Sequence, residues 1–351
     1  MSGAFGWIRN NDSNGAGTQH TNTGFVDAIQ PYQHPQPGAP RVTHIGRSQT
    51  PPPAQPPPRA SFAQAAASVI ARLPIPTALH MLKSTAANVL ILATDVTGSM
   101  GENPKEIFAR LPLLYELACQ YLGSRDTEIL FICFGDARTD THAVQVAHFG
   151  RGPELDPMLT SFSLSCGGGG QGSETPELVA YYLLTQVDTS SARNVYSWFL
   201  TDEAGCDTLR SDLVQEWLGL TLNPAFTQAV DVFTALSRRM NVMTLLFDTG
   251  AYRSEPRKHQ RIRPYWEEVL RSKEAIVPME DPRRIVDVLL GTIAVMTGQL
   301  DLFTSHLQSR QLPTAHGAAN VQAVLKSIAL LGAGSVSTPT GPGTKSLLPD
   351  D

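Results

Sequence analysis

No segment of this sequence approaches the roughly 20 consecutive apolar residues that a bilayer-spanning helix requires, so no spanning helix is expected. Cysteine is scarce. The four in the chain are Cys119, Cys133, Cys166 and Cys206. They form no CxxC pair and have no histidines at zinc-finger spacing, which argues against a zinc site. Cys119 and Cys133 fall on apolar stretches, where buried reduced thiols are ordinary. An excess of one charge is missing too: the net charge is −5 and the pI about 6.0, so bulk charge gives no sign of nucleic-acid or membrane binding. The opening MSGAFGWIRNNDSNG has no basic stretch followed by an apolar run, so no signal peptide is expected. A soluble, reducing, cytoplasmic setting is the simplest expectation. Internal repeats are absent as well.

What is present is a chain of 351 residues, 42% hydrophobic and 17% charged, with room for one large α/β domain plus tails or for two modest domains. Residues 1–60 are rich in Gly, Asn, Gln and Pro and end in the run Thr50 to Pro58. Their apolar surface is too small to offset the entropy of ordering, so a disordered Pro-rich segment is expected. Such a run can dock in aromatic grooves but is more often a semi-rigid linker. A short helical lead-in is expected over 61–87, with helices at Ser61–Leu73 and Thr77–Lys83. The main domain is expected over 88–300, a helical extension over 301–331, and a Gly/Ser/Thr/Pro-rich disordered tail over 332–351.

Within 88–300 strands and helices alternate. Val89–Ala93 is an uninterrupted apolar run, as suits a strand buried on both faces. Pro104–Leu122 carries Ile107, Leu111, Leu114 and Leu117 at helical spacing. Glu128–Phe134 reads as a second strand, and Ala143–Phe149 alternates in the manner of a half-exposed edge strand. Helix Pro176–Leu184, strand Val195–Leu200, helix Pro224–Arg239, strand Val242–Phe247, helix Pro264–Arg271, strand Ala275–Val277 and helix Pro282–Thr297 follow. Repeated βα units impose parallel pairing and right-handed crossovers. The expected fold is therefore α/β: a doubly wound, mostly parallel six-stranded sheet of Rossmann-like character. The connection from Phe134 to Ala143 is too short for a crossover, so that strand is the one antiparallel edge. Ligands bind such sheets beyond the carboxyl ends of the strands, where strand order reverses.

Those strand ends carry oxygen-bearing side chains. After the first strand comes Thr94-Asp95-Val96-Thr97-Gly98-Ser99-Met100-Gly101, and after the fourth comes Thr201-Asp202-Glu203. Between them a glycine-rich loop, Gly167 to Gly172, leads through Ser173, Glu174 and Thr175 into a helix. Two carboxylates and several hydroxyls thus reach one sheet edge. Hard oxygen donors of that kind suit Mg²⁺, with Mn²⁺ as a near substitute. A loop leaving a strand can turn alternate side chains to one point, and Gly98 and Gly101 allow the tight backbone. Each piece also has a bland explanation. Asp95 can simply end a strand, and Thr175 can cap a helix with Pro176 in first position. The conjunction, in order along the chain, favours the metal site.

Asp95-Val96-Thr97-Gly98-Ser99 resembles the D-x-[ST]-x-S signature of the metal-ion-dependent adhesion site (MIDAS) in von Willebrand factor A and integrin-type domains. Gly167 to Tyr182 resembles the equivalent loop of bacterial members of that family. The likeness covers roughly Val89 to Thr297. It implies that Thr97 and Ser99 hold the ion directly, that Asp95 and Asp202 act mostly through water, and that Thr175 supplies the central-loop hydroxyl. Thr97 replaces a more usual serine and keeps the hydroxyl. Proline directly after Thr175 leaves Ser173 open as the alternative ligand. The resemblance further implies a metal-dependent protein-binding module of the cytoplasm. There the bound ion would accept an acidic residue of a partner, within a MoxR-type AAA+ ATPase system.

Weaker features define the alternatives. Asp136 and Asp248 end strands, and Glu174 and Glu177 begin a helix, where negative charge is favourable without any ligand role. A metal-dependent hydrolase of phosphate esters would need a placed base; Asp136, Glu174 and Glu203 are candidates that do not visibly converge. An RNA-binding role would rest on the basic run Arg253 to Arg263 alone. His142, His148 and His259 form no i, i+4 pair or triad.

Overall fold

Buried apolar runs become sheet and amphipathic runs become its cover in the computed structural model, which describes residues 81–164, 173–249 and 255–331. The disordered segments expected at 1–60 and 332–351, the helix expected at 61–73 and the glycine-rich stretch 167–172 lie outside those residues, as does Cys166. Leu82–Lys83 forms a short strand, β1, where a helix is expected over Thr77–Lys83. It pairs in parallel with Val187–Asp188, a partner a hundred residues away that local propensity cannot reveal.

The first long strand, β2 (Asn88–Asp95), is buried throughout. Its alternate side chains feed two different cores: Leu90 and Leu92 face one, and Val89, Ile91 and Ala93 the other. That is why the sequence shows a continuous apolar run rather than an alternation. The helix expected over Pro104–Leu122 is two, α1 (Asn103–Phe108) and α2 (Pro112–Leu122). Pro112 has no N–H to continue α1 and instead occupies the first turn of α2. Then come β3 (Thr127–Phe134) and β4 (Val144–Val146), joined without a crossover and antiparallel.

A short helix α3 (Leu155–Ser161), not anticipated, precedes α4 (Pro176–Gln186), the small partner strand β5 (Val187–Asp188) and β6 (Asn194–Thr201). Beyond β6 lie α5 (Ser211–Leu218), also unanticipated, and α6 (Ala229–Ser237). The helix expected over Pro224–Arg239 is thus shortened, and Pro224–Phe226 is a separate 3₁₀ turn capped by Asn223. Strand β7 (Asn241–Phe247), helix α7 (Pro256–Leu270), strand β8 (Ile276–Met279) and helices α8 (Ile285–Met296), α9 (Leu300–Gln311) and α10 (Gly317–Ile328) complete the order.

The six-stranded sheet runs β4-β3-β2-β6-β7-β8. Every pair is parallel except β3–β4. One core is covered by residues of α1, α2, α3, α8, α9 and α10, the other by residues of α4, α5, α6 and α7. This is the doubly wound α/β sheet with one antiparallel edge strand that the sequence predicts. Strand order reverses between β2 and β6, and the carboxyl ends of strands at such a switch are where sheets of this kind bind ligands.

Candidate metal centre

Asp95 is the last residue of β2, and Asp202 directly follows β6, so the two carboxylates stand on either side of the switch in strand order. The loop after Asp95 turns at once. Thr97 precedes the 3₁₀ turn Gly98–Met100, and Gly101 closes it at φ 57, a left-handed conformation that costs a glycine little. Asp95 Oδ1 accepts from the Thr97 backbone N–H at 3.0 Å and from the Thr97 hydroxyl at 2.6 Å. Thr97 Oγ1 lies 3.1 Å from Ser99 Oγ, and Ser99 Oγ donates to Asp202 Oδ1 at 2.9 Å. Two further threonines extend the chain: Thr201 Oγ1 donates to Asp95 Oδ2 at 2.7 Å, and Thr249 Oγ1 donates to Asp202 Oδ2 at 2.6 Å. One continuous network therefore joins Thr201, Asp95, Thr97, Ser99, Asp202 and Thr249. Ser99 and Thr249 are its half-exposed members, so the network reaches solvent at both.

The sequence-predicted Thr175 is not joined to this network by a hydrogen bond. Its hydroxyl donates to Gly135 O at 2.7 Å and accepts from Ala137 N at 3.2 Å. It thus pins the start of α4 to the end of β3. Gly135 has to be small here, because a Cβ would fall 2.3 Å from Asp140 Oδ2 and 3.1 Å from Thr97 Cγ2. The alternative residue, Ser173, accepts from Arg261 Nη1 at 3.1 Å. Between them stands Glu174, 6% exposed, with Oε2 unpartnered.

Electrostatics single out the same place. Burial raises the Asp95 carboxyl well above the ordinary carboxylate range, and the charge of Asp202 adds to that, against hydrogen bonds from Thr97 and Thr201. Burial likewise raises Asp202, opposed by Thr249 and Ser99. Glu174 is raised most by burial and next by Asp95. None of the three makes an ion pair with a described residue. Buried anions in that condition must hold protons or meet a cation. Among the described residues no three His, Cys, Asp or Glu side chains converge tightly enough to form a cage by themselves. Like charges keep apart, and the donors that do converge are hydroxyls together with Asp95 and Asp202. A mixed hydroxyl and carboxylate set of hard oxygens fits Mg²⁺ or Mn²⁺.

The weaker candidates resolve differently. Asp136 is buried in an ion pair with Arg138, Oδ1 to Nε 2.6 Å, and Arg138 Nη2 also donates to Ser173 O at 2.6 Å. Asp248 is exposed, and its neighbour Thr249 is the residue that reaches Asp202. The basic run Arg253 to Arg263 is, from Pro256 on, the first half of α7. Lys258 pairs with Glu255, Arg263 with Glu267, and Arg261 with Asp207. Arg261 also donates to Gly205 O at 3.2 Å. Its role in the fold is to clasp two loops at the rim of the site. A polar cavity of about 460 Å³ lies beside Arg138 and Asp140, lined also by Arg210, Asp212 and Glu216; it shares no residue with the Asp95–Asp202 network.

Sequence reasoning did not pick out Thr201, Thr249 or the isolation of Glu174. The first two are strand-end threonines of a common kind. For Glu174 the signal was position: an acid in the loop that the motif assigns to the central ligand.

No family model matches the sequence, and no curated protein matches it either. Solved structures overlap its fold. The pilus adhesin SpaC of Lactobacillus rhamnosus GG, in its open conformation, is 11% identical with a TM-score of 0.40 over 64% of this chain and 31% of its own. The vWF domain of the type V pili tip protein Mfa5 from Porphyromonas gingivalis is 8% identical, TM-score 0.40, over 62% of this chain and 96% of its own. Proximal thread matrix protein 1 of the mussel byssus is 10% identical, TM-score 0.39, over 63% and 49%. This chain thus spans under a third of the length of SpaC. At these identities and scores the likeness concerns the chain tracing and identifies no ligand or partner.

Proposed function

We propose that this protein is a metal-dependent protein-binding module of the von Willebrand factor A type. Its Mg²⁺ or Mn²⁺ site is formed by Thr97 and Ser99, with Asp95 and Asp202 behind them. The observation that carries this reading is the continuous network from Thr201 to Thr249, which ties together the two strand ends at the sheet's switch point and contains two buried carboxylates that make no ion pair with a described residue. Thr97 and Ser99 bring two hydroxyl oxygens 3.1 Å apart. Asp95 and Asp202 fix those hydroxyls and supply compensating charge, and Thr201 and Thr249 hold the carboxylates in turn, as outer-shell groups do at metal sites. Held by Thr97 and Ser99, a divalent ion would supply a positive centre beside half-exposed Ser99 for an acidic residue of a partner. The partner context suggested by the sequence resemblance is a MoxR-type AAA+ ATPase system in the cytoplasm.

No specific observation favours the hydrolase reading, and its first candidate base, Asp136, is engaged by Arg138. The RNA reading loses support because Lys258, Arg261 and Arg263 are already ion-paired. The test is capture from the source cell on immobilised protein, in Mg²⁺ and in EDTA, with Asp95→Ala beside the wild type. A partner held by the wild type in Mg²⁺, released by EDTA and not held by Asp95→Ala is expected. Equal capture under all conditions would refute the metal-bridged mechanism.

A further inference from the structure

Three consecutive residues of the loop entering α4 carry side-chain oxygens, and two of them are occupied. Ser173 Oγ accepts from Arg261, and the Thr175 hydroxyl both donates to Gly135 O and accepts from Ala137 N. Glu174 differs. Its backbone N–H donates to Ala204 O at 3.0 Å, which fastens it beside the loop that carries Asp202. Its side chain is 6% exposed, makes no ion pair with a described residue, and leaves Oε2 with no hydrogen-bond partner. Asp95 is the neighbour whose charge it feels most.

Leaving a carboxylate buried and unpaired costs several kcal/mol. Solvent would take the side chain readily if the loop had no use for it inside. An apolar residue would fill the same space without penalty, and a threonine with a free hydroxyl would serve the neutral-ligand role that the motif expects. Neither is present.

We infer that Glu174, not Thr175 or Ser173, is the central-loop ligand of the ion held by Thr97 and Ser99. This inference rests on the metal-site reading given above. It has a chemical consequence. A carboxylate in place of a hydroxyl adds one negative charge to the donors, and ligand charge is a main determinant of affinity for hard cations. With Asp95 and Asp202 acting through water, Glu174 would be the one anion in direct contact. The ion would then retain positive character for a partner's carboxylate. Thr175 becomes a positioning residue, holding the start of α4 on Gly135 and so placing Glu174.

The experiment is calorimetric titration of the full chain with Mg²⁺ and with Mn²⁺ alone, on the wild type, Asp95→Ala, Glu174→Gln and Thr175→Val. Glu174→Gln keeps the shape and removes the charge. It is expected to bind the ion at least about tenfold more weakly, the scale at which even outer-shell losses register, and to melt no lower than the wild type in EDTA. Thr175→Val removes the bond that positions Glu174 and is expected to weaken binding by less than Glu174→Gln does. Asp95→Ala is expected to show no binding. If Glu174→Gln should fail to fold, Glu174→Asp serves instead, because it keeps the charge but shortens the reach; intermediate affinity is expected. A wild type that binds while Glu174→Gln binds equally well overturns this inference and leaves the metal site standing. A tenfold loss in Thr175→Val with none in Glu174→Gln would return the role to the threonine. A wild type that binds no ion removes both readings.

Discussion

Asp95 illustrates how one side chain can be over-determined. Both of its oxygens are used, Oδ1 by Thr97 and Oδ2 by Thr201, in a position with no exposure at all. Glu177 is a second buried acid with a quite different part. It sits in the first turn of α4, where its Oε2 accepts from Cys206 N at 3.2 Å, and burial raises it from 4.5 to about 8. A carboxyl that keeps its proton longer in the folded chain makes folding most favourable below its unfolded value. That advantage is lost progressively as pH rises to the folded value. Glu177 therefore gives a stability that falls between 4.5 and about 8 and is level above. Glu177→Gln retains an acceptor and removes the titration. Urea unfolding in EDTA between about pH 5 and pH 8 is expected to show a smaller loss of stability in the variant than in the wild type. Parallel losses would mean that Glu177 is not protonated in the fold. The residue scale is also where the sequence was hardest to read. Glu174 and Glu177 both look like acids placed for a helix dipole, and only burial separates them from that ordinary role.

At the scale of elements, the six strands of the main sheet were legible, while the small β1–β5 pair and the helix limits were not. β2, β3, β6 and β7 are buried on both faces, so their composition announces them. Helix α7 was half missed, because its first two turns are basic and exposed and Pro264 falls inside it. Proline there removes one backbone hydrogen bond, at a cost of about 3 kcal/mol. The exposed face lets water serve the freed carbonyl, and the burial of Tyr265, Trp266, Val269 and Leu270 holds the second half. The helical extension expected over 301–331 is helical from Leu300 to Gln311 and from Gly317 to Ile328, and its Phe303, Leu307, Val324 and Ile328 are buried in the same core as Leu90 and Leu289. Phe303 meets Tyr121 edge-on with ring centroids 5.8 Å apart. Its ring passes so close to Gly291 that a Cβ there would lie 3.1 Å away. Phe303→Ala is therefore expected to lower unfolding free energy by about 3–5 kcal/mol, as for other fully buried aromatic truncations. Chemical denaturation measures it. A change below about 1 kcal/mol, the size of an ordinary surface effect, would mean that the extension does not share the core.

At the scale of the whole molecule, strand order reverses between β2 and β6, and there Asp95 and Asp202 are buried with no ion pair to a described residue. Glu174, also buried, is tied through Ala204 to the loop that follows β6. That Asp95, Thr97, Ser99 and Asp202 lie close together was legible because the D-x-T-x-S motif and the doubly wound pattern put them at adjoining strand ends. The parts of Thr201, Thr249 and Glu174 were not, since their importance lies in contacts between distant segments. The central claim is that these groups hold a divalent ion, and a crystal of the full chain grown with Mn²⁺ tests it most directly. Anomalous scattering at the manganese edge is predicted to show one strong peak beside Thr97 Oγ1 and Ser99 Oγ, about 2.1 Å from each, the distance of hard-oxygen coordination in small divalent sites. No peak at that position, or a peak only at some other place on the molecule, would contradict the account.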